Sequence, residues 1–75
     1  MSNNVSRSVG RVFQVLEVFQ ARRRPLTAME IADTLESPRS SVAVVLRSLV
    51  DLSILAHERR TGTYFPTGRL ARLAD

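Results

Sequence analysis

Apolar residues recur along the chain with two rhythms, one helical and one alternating, and the changes between them mark out the elements. From Ser8 onward, Val9, Val12, Phe13, Leu16 and Phe19 follow the i, i+3, i+4, i+7 spacing of a helix with one buried stripe. This predicts a first helix over about 7–21, with Ser6 or Ser8 available as N-cap. Val15 and Val18 fall beside that stripe. They either broaden the core-facing side or, with Phe19, form a contact between two copies of the chain, and a dimer through Val15, Val18 and Phe19 is the expectation.

Pro25 disfavours helical backbone at Arg24 and closes the first helix, leaving Leu26 extended. Thr27-Ala28-Met29-Glu30 then has the spacing of a capping box, in which a threonine hydroxyl and a glutamate side chain satisfy each other's backbone amides. A second helix follows, with Ala28, Ile31, Ala32 and Leu35 on one face. Glu36-Ser37-Pro38 is too short for anything but a corner. Ser37 as N-cap with Pro38 at the first helical position predicts the start of a third helix running from about Pro38 to Leu52. At about 100° per residue, Val42, Val45, Leu46, Leu49 and Leu52 gather on its inner side. Ser40, Ala43, Val44, Arg47 and Asp51 gather on the other, with Arg39 near the N-terminal end.

After Ser53 the rhythm changes. Residues 54–59 and 63–65 are expected to be two strands, joined by Arg60-Thr61-Gly62 with Gly62 at positive φ. A hairpin behind a helix-turn-helix is a wing. Helical spacing resumes at Arg69-Leu70-Ala71-Arg72-Leu73-Ala74. The expected class is therefore mainly α with a small β-hairpin wing: a winged helix-turn-helix with a three-helix core. Its predicted parts are a flexible N-terminal arm at 1–6, the winged domain at 7–68 and the start of a linker helix at 69–75.

Seventy-five residues suffice for one domain with one modest core. The eleven basic residues are all arginine and face seven acids, for a net charge of +4, the bias of a polyanion binder. There is no cysteine and one histidine, His57, so neither a disulfide framework nor a thiolate or histidine metal site is expected, and no cofactor is called for. No apolar run approaches the roughly 18 residues of a membrane span, and the polar N-terminus has no signal-peptide core; a cytoplasmic protein without membrane contact is expected. Glu17, Glu30, Asp33, Glu36, Asp51 and Glu58 are scattered and assemble no acid, base and nucleophile, so no enzymatic activity is expected.

A helix with this outer face is how a helix-turn-helix enters the DNA major groove. Arg47 can pair with guanine O6 and N7, bind a phosphate, or stay solvated. Ala43 and Val44 meet thymine methyl groups or are ordinary exposed aliphatics. Ser40 and Ser41, with Arg39, sit where hydroxyls and free amides can donate to phosphate, or Ser41 is partly buried in a local hydrogen bond. Arg59 and Arg60 form a cationic wing tip suited to the adjacent minor groove or backbone, or are simply a soluble turn. Thr27, at the head of the second helix, completes the candidate DNA contacts. The run Arg22-Arg23-Arg24 either touches the duplex flank or is a solvated loop. The competing reading is a winged helix used for protein interaction or dimerisation, with Ala43 and Val44 as its docking patch.

From Ser8 to Asp75 the chain resembles the N-terminal winged helix-turn-helix domain of the IclR family of bacterial transcription regulators. The resemblance rests on Pro25-Leu26-Thr27, Glu30-Ile31-Ala32, Leu35, Pro38-Arg39-Ser40-Ser41, Leu46-Arg47-Ser48-Leu49 and the run from Tyr64 to Leu73. It implies double-stranded DNA as partner, a homodimeric repressor or activator, and a small-molecule effector sensed by a separate C-terminal domain. Three residues depart from the family pattern. Glu36 and Ser53 stand where glycine is usual, and Val44 where arginine is common.

Overall fold

The computed structural model describes residues 6–74 and has the element order expected, with one strand more. Helix α1 spans Arg7–Arg22, capped by the Ser6 hydroxyl, which accepts from the Val9 amide at 3.0 Å. It ends as Arg23 turns left-handed, at φ 56°, and its N–H donates to the Phe19 carbonyl at 2.9 Å. Strand β1, Leu26–Thr27, leads into α2, Ala28–Leu35, whose capping box is complete. The Glu30 amide donates to Thr27 Oγ1 at 3.1 Å and the Thr27 amide to Glu30 Oε1 at 2.9 Å. A corner through Glu36 leads to α3, Arg39–Asp51, followed by β2 (Leu55–Glu58), β3 (Thr63–Pro66) and α4 (Arg69–Ala74). Of the predicted arm at 1–6, residues 1–5 lie outside the described residues, as does the last residue of the predicted linker at 69–75, while Ser6 is the cap of α1.

The three strands form one antiparallel sheet in the order β1-β3-β2, with Leu26 opposite Tyr64 and His57 opposite Tyr64 on the other side. The β1 pairing was absent from the sequence reading, because two residues carry no detectable alternation. Its effect is large for its size: it ties the α1–α2 connection to the wing. Gly62 takes φ 70° in the wing turn as expected, and its amide donates to the Glu58 carbonyl at 2.8 Å. At the base of the wing, Thr67 Oγ1 donates to the Ser53 carbonyl at 2.6 Å, fastening the exit of β3 to the exit of α3.

The core is mostly aliphatic, with Phe19 its buried aromatic side chain. Val15, Val18 and Phe19 of α1, Leu26 of β1, Ile31 and Ala32 of α2, Val42, Val45, Leu46 and Leu49 of α3, and Leu55 of β2 are buried together. The expected dimer contact is thereby corrected. Val15, Val18 and Phe19 lie inside the folded monomer and are not available to a second copy. The residues left outside are Val9, 61% exposed, and Phe13, 67% exposed, which the spacing had assigned to the core. Both sets obey helical periodicity. They differ only in where the stripe is centred: Val9 and Phe13 lie about 120° to 160° round the helix from Val15. Periodicity gives the width of an apolar stripe; which part of it meets α2 and α3 is a tertiary matter.

Two further expectations change at the ends of α3. Pro38, at φ −60° and ψ 139°, is itself the cap residue and makes no side-chain cap bond. Ser37 instead accepts a hydrogen bond from the Arg11 guanidinium and donates to the Leu35 carbonyl at 3.2 Å. The extended ψ of Pro38 delays the helix by one residue. At the other end Leu52 is the C-cap; its amide still donates to the Ser48 carbonyl at 3.0 Å, but its side chain is 58% exposed and lies outside the core.

Candidate nucleic-acid interface

Helix α3 is positioned by its own inner face. Val42 and Leu46 are fully buried, and Val45 and Leu49 nearly so; together they fix the rotation of the helix about its axis. The outer face is thereby left to solvent: Arg39, Ser40, Ser41 and Arg47 are exposed, Val44 is 58% exposed, and Ala43 is half-buried. These six candidate residues therefore share one accessible surface of one helix. Val44 is a large apolar side chain left mostly exposed on that side.

The corner that sets α3 against α2 is unusual in chemistry. Glu36 has φ 52° and ψ 45°, and its amide donates to the Ala32 and Asp33 carbonyls. Together with Arg23 and Ser53, at φ 56° and 61°, it is one of three non-glycine residues in the left-handed region among the described residues. These three close α1, α2 and α3. A Cβ in that region crowds the backbone, so Glu36 and Ser53 are strained where glycine would not be.

Arg59 and Arg60 are exposed in the turn between β2 and β3, as a wing tip requires. The Arg60 amide donates to the Glu58 carboxylate at 3.3 Å, which shapes the turn without consuming either guanidinium. Behind the tip, His57 and Tyr64 stack in register, ring centroids 4.3 Å apart and 10° from parallel, stiffening the hairpin. Thr27 is different from the other candidates. Its hydroxyl accepts from the Glu30 amide and lies 3.3 Å from Glu30 Oε1, so its hydrogen-bonding capacity goes to capping α2.

In the arginine run before Pro25 the guanidinium groups of Arg22 and Arg24 are held, and Arg23 is held through its backbone. Arg24 pairs with Glu30 at 2.9 Å and donates to the Pro25 carbonyl, Arg22 donates to Thr34 Oγ1 at 3.0 Å, and Arg23 is the cap of α1. The Arg24 hydrogen bond, helped by the Thr27 amide, lowers the Glu30 carboxyl from its ordinary value to about 2. Arg24–Glu30 is the one ion pair among the described residues. The cations of α3 and the wing have no carboxylate neutralising them at contact distance, which leaves a positive field over both.

Sequence reasoning missed a flank of this surface. The N-terminal half of α1 lies beside the start of α3, and between them is an open cleft lined by Arg7, Ser8, Arg11, Ser41, Val44 and Val45. The signal was present in the i, i+4 spacing of Arg7 and Arg11, which puts both on one side of α1. What that side faces could not be read from spacing.

Among the described residues no group of acids or histidines is placed to hold a metal ion, and no helix is long and apolar enough to cross a membrane. The comparisons with known proteins agree with the geometry. The family described as the IclR helix-turn-helix domain matches residues 8–60. No curated protein matches the chain. Among solved structures, an IclR transcriptional regulator from Alicyclobacillus acidocaldarius is similar, with 24% identity over 92% of this chain and a TM-score of 0.85. An IclR family transcriptional regulator from Brucella abortus is also similar, with 24% identity over 99% of this chain and a TM-score of 0.86. In each case the similarity covers 28% of the other protein, so the present chain spans just over a quarter of the length of these regulators. With the helix-turn-helix, the wing and the matched span in agreement, the chain belongs to the IclR helix-turn-helix domain family.

Proposed function

We propose that this domain binds double-stranded DNA in a sequence-dependent way, with α3 in the major groove and the wing tip on the adjacent minor groove or backbone. The observation that carries the reading is the rotation of α3. Its aliphatic side is sealed into the core and its Arg39, Ser40, Ser41, Val44 and Arg47 side is open. In that arrangement Arg47 reads guanine through O6 and N7, and Val44 with Ala43 packs on thymine methyl groups. Arg39, Ser40 and Ser41 hold phosphates near the start of α3, and Arg59 and Arg60 add contacts from the wing.

Two copies on half-sites about 34 to 36 Å apart, or a multiple of that, add their affinities through linkage, and a homodimer is the working form. Helix α4 begins a linker, and a small-molecule effector acts through a part of the regulator beyond it. The protein works in the cytoplasm, without catalysis.

Selection of bound sequences from a random duplex pool, followed by titration against salt, tests this. Log affinity falls with log salt by about 0.9 per phosphate contact. Arg47→Ala relaxes the base preference at one position, at a cost of about 1 to 3 kcal/mol for the preferred base. A salt-insensitive or absent interaction with duplex refutes the reading and favours a protein-docking role for the α3 face.

A further inference from the structure

The cleft between α1 and α3 is built for something with both an anionic and an apolar part. Its lining combines two guanidinium groups, Arg7 and Arg11, two hydroxyls, Ser8 and Ser41, and two aliphatic side chains, Val44 and Val45. Neither arginine has a carboxylate within ion-pair distance among the described residues. Arg11 is half-buried and anchored by the Ser37 hydroxyl, which sits in the α2–α3 corner and also bonds the Leu35 carbonyl. A guanidinium has five N–H donors in a fixed fork, so one bond to Ser37 orients the group and leaves donors to spare.

The cleft opens beside Val44, on the edge of the α3 face described above. A helix lying in a groove has a sugar-phosphate strand along each side of it. Such a strand alternates an anionic phosphate with an apolar deoxyribose face, which is the alternation the cleft offers in reverse.

We propose that this cleft is a backbone clamp: Arg7 and Arg11 hold a DNA phosphate while the cleft-lining edge of the exposed Val44, whose outer side meets the bases, packs against the neighbouring deoxyribose and the buried Val45 only floors the cleft. Helix α1 is then part of the DNA-binding surface, and Ser37 is a positioning residue that holds Arg11 toward the strand. The clamp sets the tilt of α3 without reading bases. The proposal rests on α3 facing DNA, but the two can fail separately.

The test uses a random-sequence duplex of about 30 base pairs, so that base readout contributes little, with binding measured from about 50 to 200 mM salt. Arg11→Ala is expected to reduce the salt slope by about 0.9 and to weaken binding about threefold or more at the low-salt end. Arg7→Ala behaves alike. Arg22→Ala is the control: it removes the same charge from the same helix, about 16 Å further along. Ser37→Ala keeps every charge and is expected to weaken binding in the same direction as Arg11→Ala, with thermal melts confirming that each variant is folded.

If the wild-type domain binds duplex steeply with salt but Arg11→Ala and Arg22→Ala lose equal affinity, the clamp is refuted and the α3 reading stands. If the wild-type domain does not bind duplex at all, both fall.

Discussion

The corner between α2 and α3 offers a sharp test of how backbone strain enters this fold. Glu36 sits at φ 52° and ψ 45°, where an L-residue pays about 1 to 2 kcal/mol and glycine pays none of it. Glycine in turn loses more conformational freedom on folding, about 0.5 to 1 kcal/mol relative to alanine, so the net gain from Glu36→Gly is about 0.5 to 1 kcal/mol. The carboxylate of Glu36 takes part in no ion pair among the described residues, and the side chain is exposed, so little is lost with it. Unfolding entropy of about 2.1 cal/mol/K per residue gives about 0.16 kcal/mol/K for this chain, and the gain becomes a rise of about 3 to 6 °C in Tm. Thermal unfolding followed by circular dichroism measures it. The control is Glu36→Ala, which removes the same carboxylate but keeps a Cβ in the left-handed region and gains nothing. A Glu36→Ala protein as stable as Glu36→Gly would show that charge, not backbone strain, governs the corner.

Three other outcomes follow from particular contacts. Val15→Ala costs about 2 kcal/mol, two lost methyl groups plus the cavity, whereas Phe13→Ala stays within about 0.5 kcal/mol; urea unfolding of the pair checks the rotation of α1, and equal losses would overturn it. Because Arg24 and the Thr27 amide lower the folded-state Glu30 carboxyl to about 2, the stability it contributes is complete above about pH 4.5 and is lost as pH falls toward 2. Acid titration of the unfolding midpoint should show Glu30→Gln flatter than wild type across that window. Arg60→Ala at the wing tip weakens binding to all duplexes alike and lowers the salt slope by about 0.9, while leaving base preference intact; a changed preference in selected sequences would make it a reader.

Much of this protein was determined by the sequence locally. The capping box at Thr27 and Glu30, the helix-ending Pro25, the corner at Glu36-Ser37-Pro38 and the wing turn at Gly62 are contacts over a few residues, so spacing alone specifies them. The rotation of α3 was equally legible. The large aliphatic residues Val42, Val45, Leu46 and Leu49 share one side of that helix while Arg47 and the serines share the other, so burial favours one side despite the exposed Val44. Where local pattern leaves a choice, the tertiary structure made it. Helix α1 is apolar over more than one stripe, and its docking on α2 and α3 put Val15, Val18 and Phe19 inside and left Val9 and Phe13 out. Strand β1 exists only because β3 lies beside it. Arg11 meets Ser37 across 26 positions of chain. Such long-range encounters depend on the relative placement of whole elements, and no periodicity within one element contains that information. The character of each face was therefore written in the sequence, and which faces meet was settled by folding.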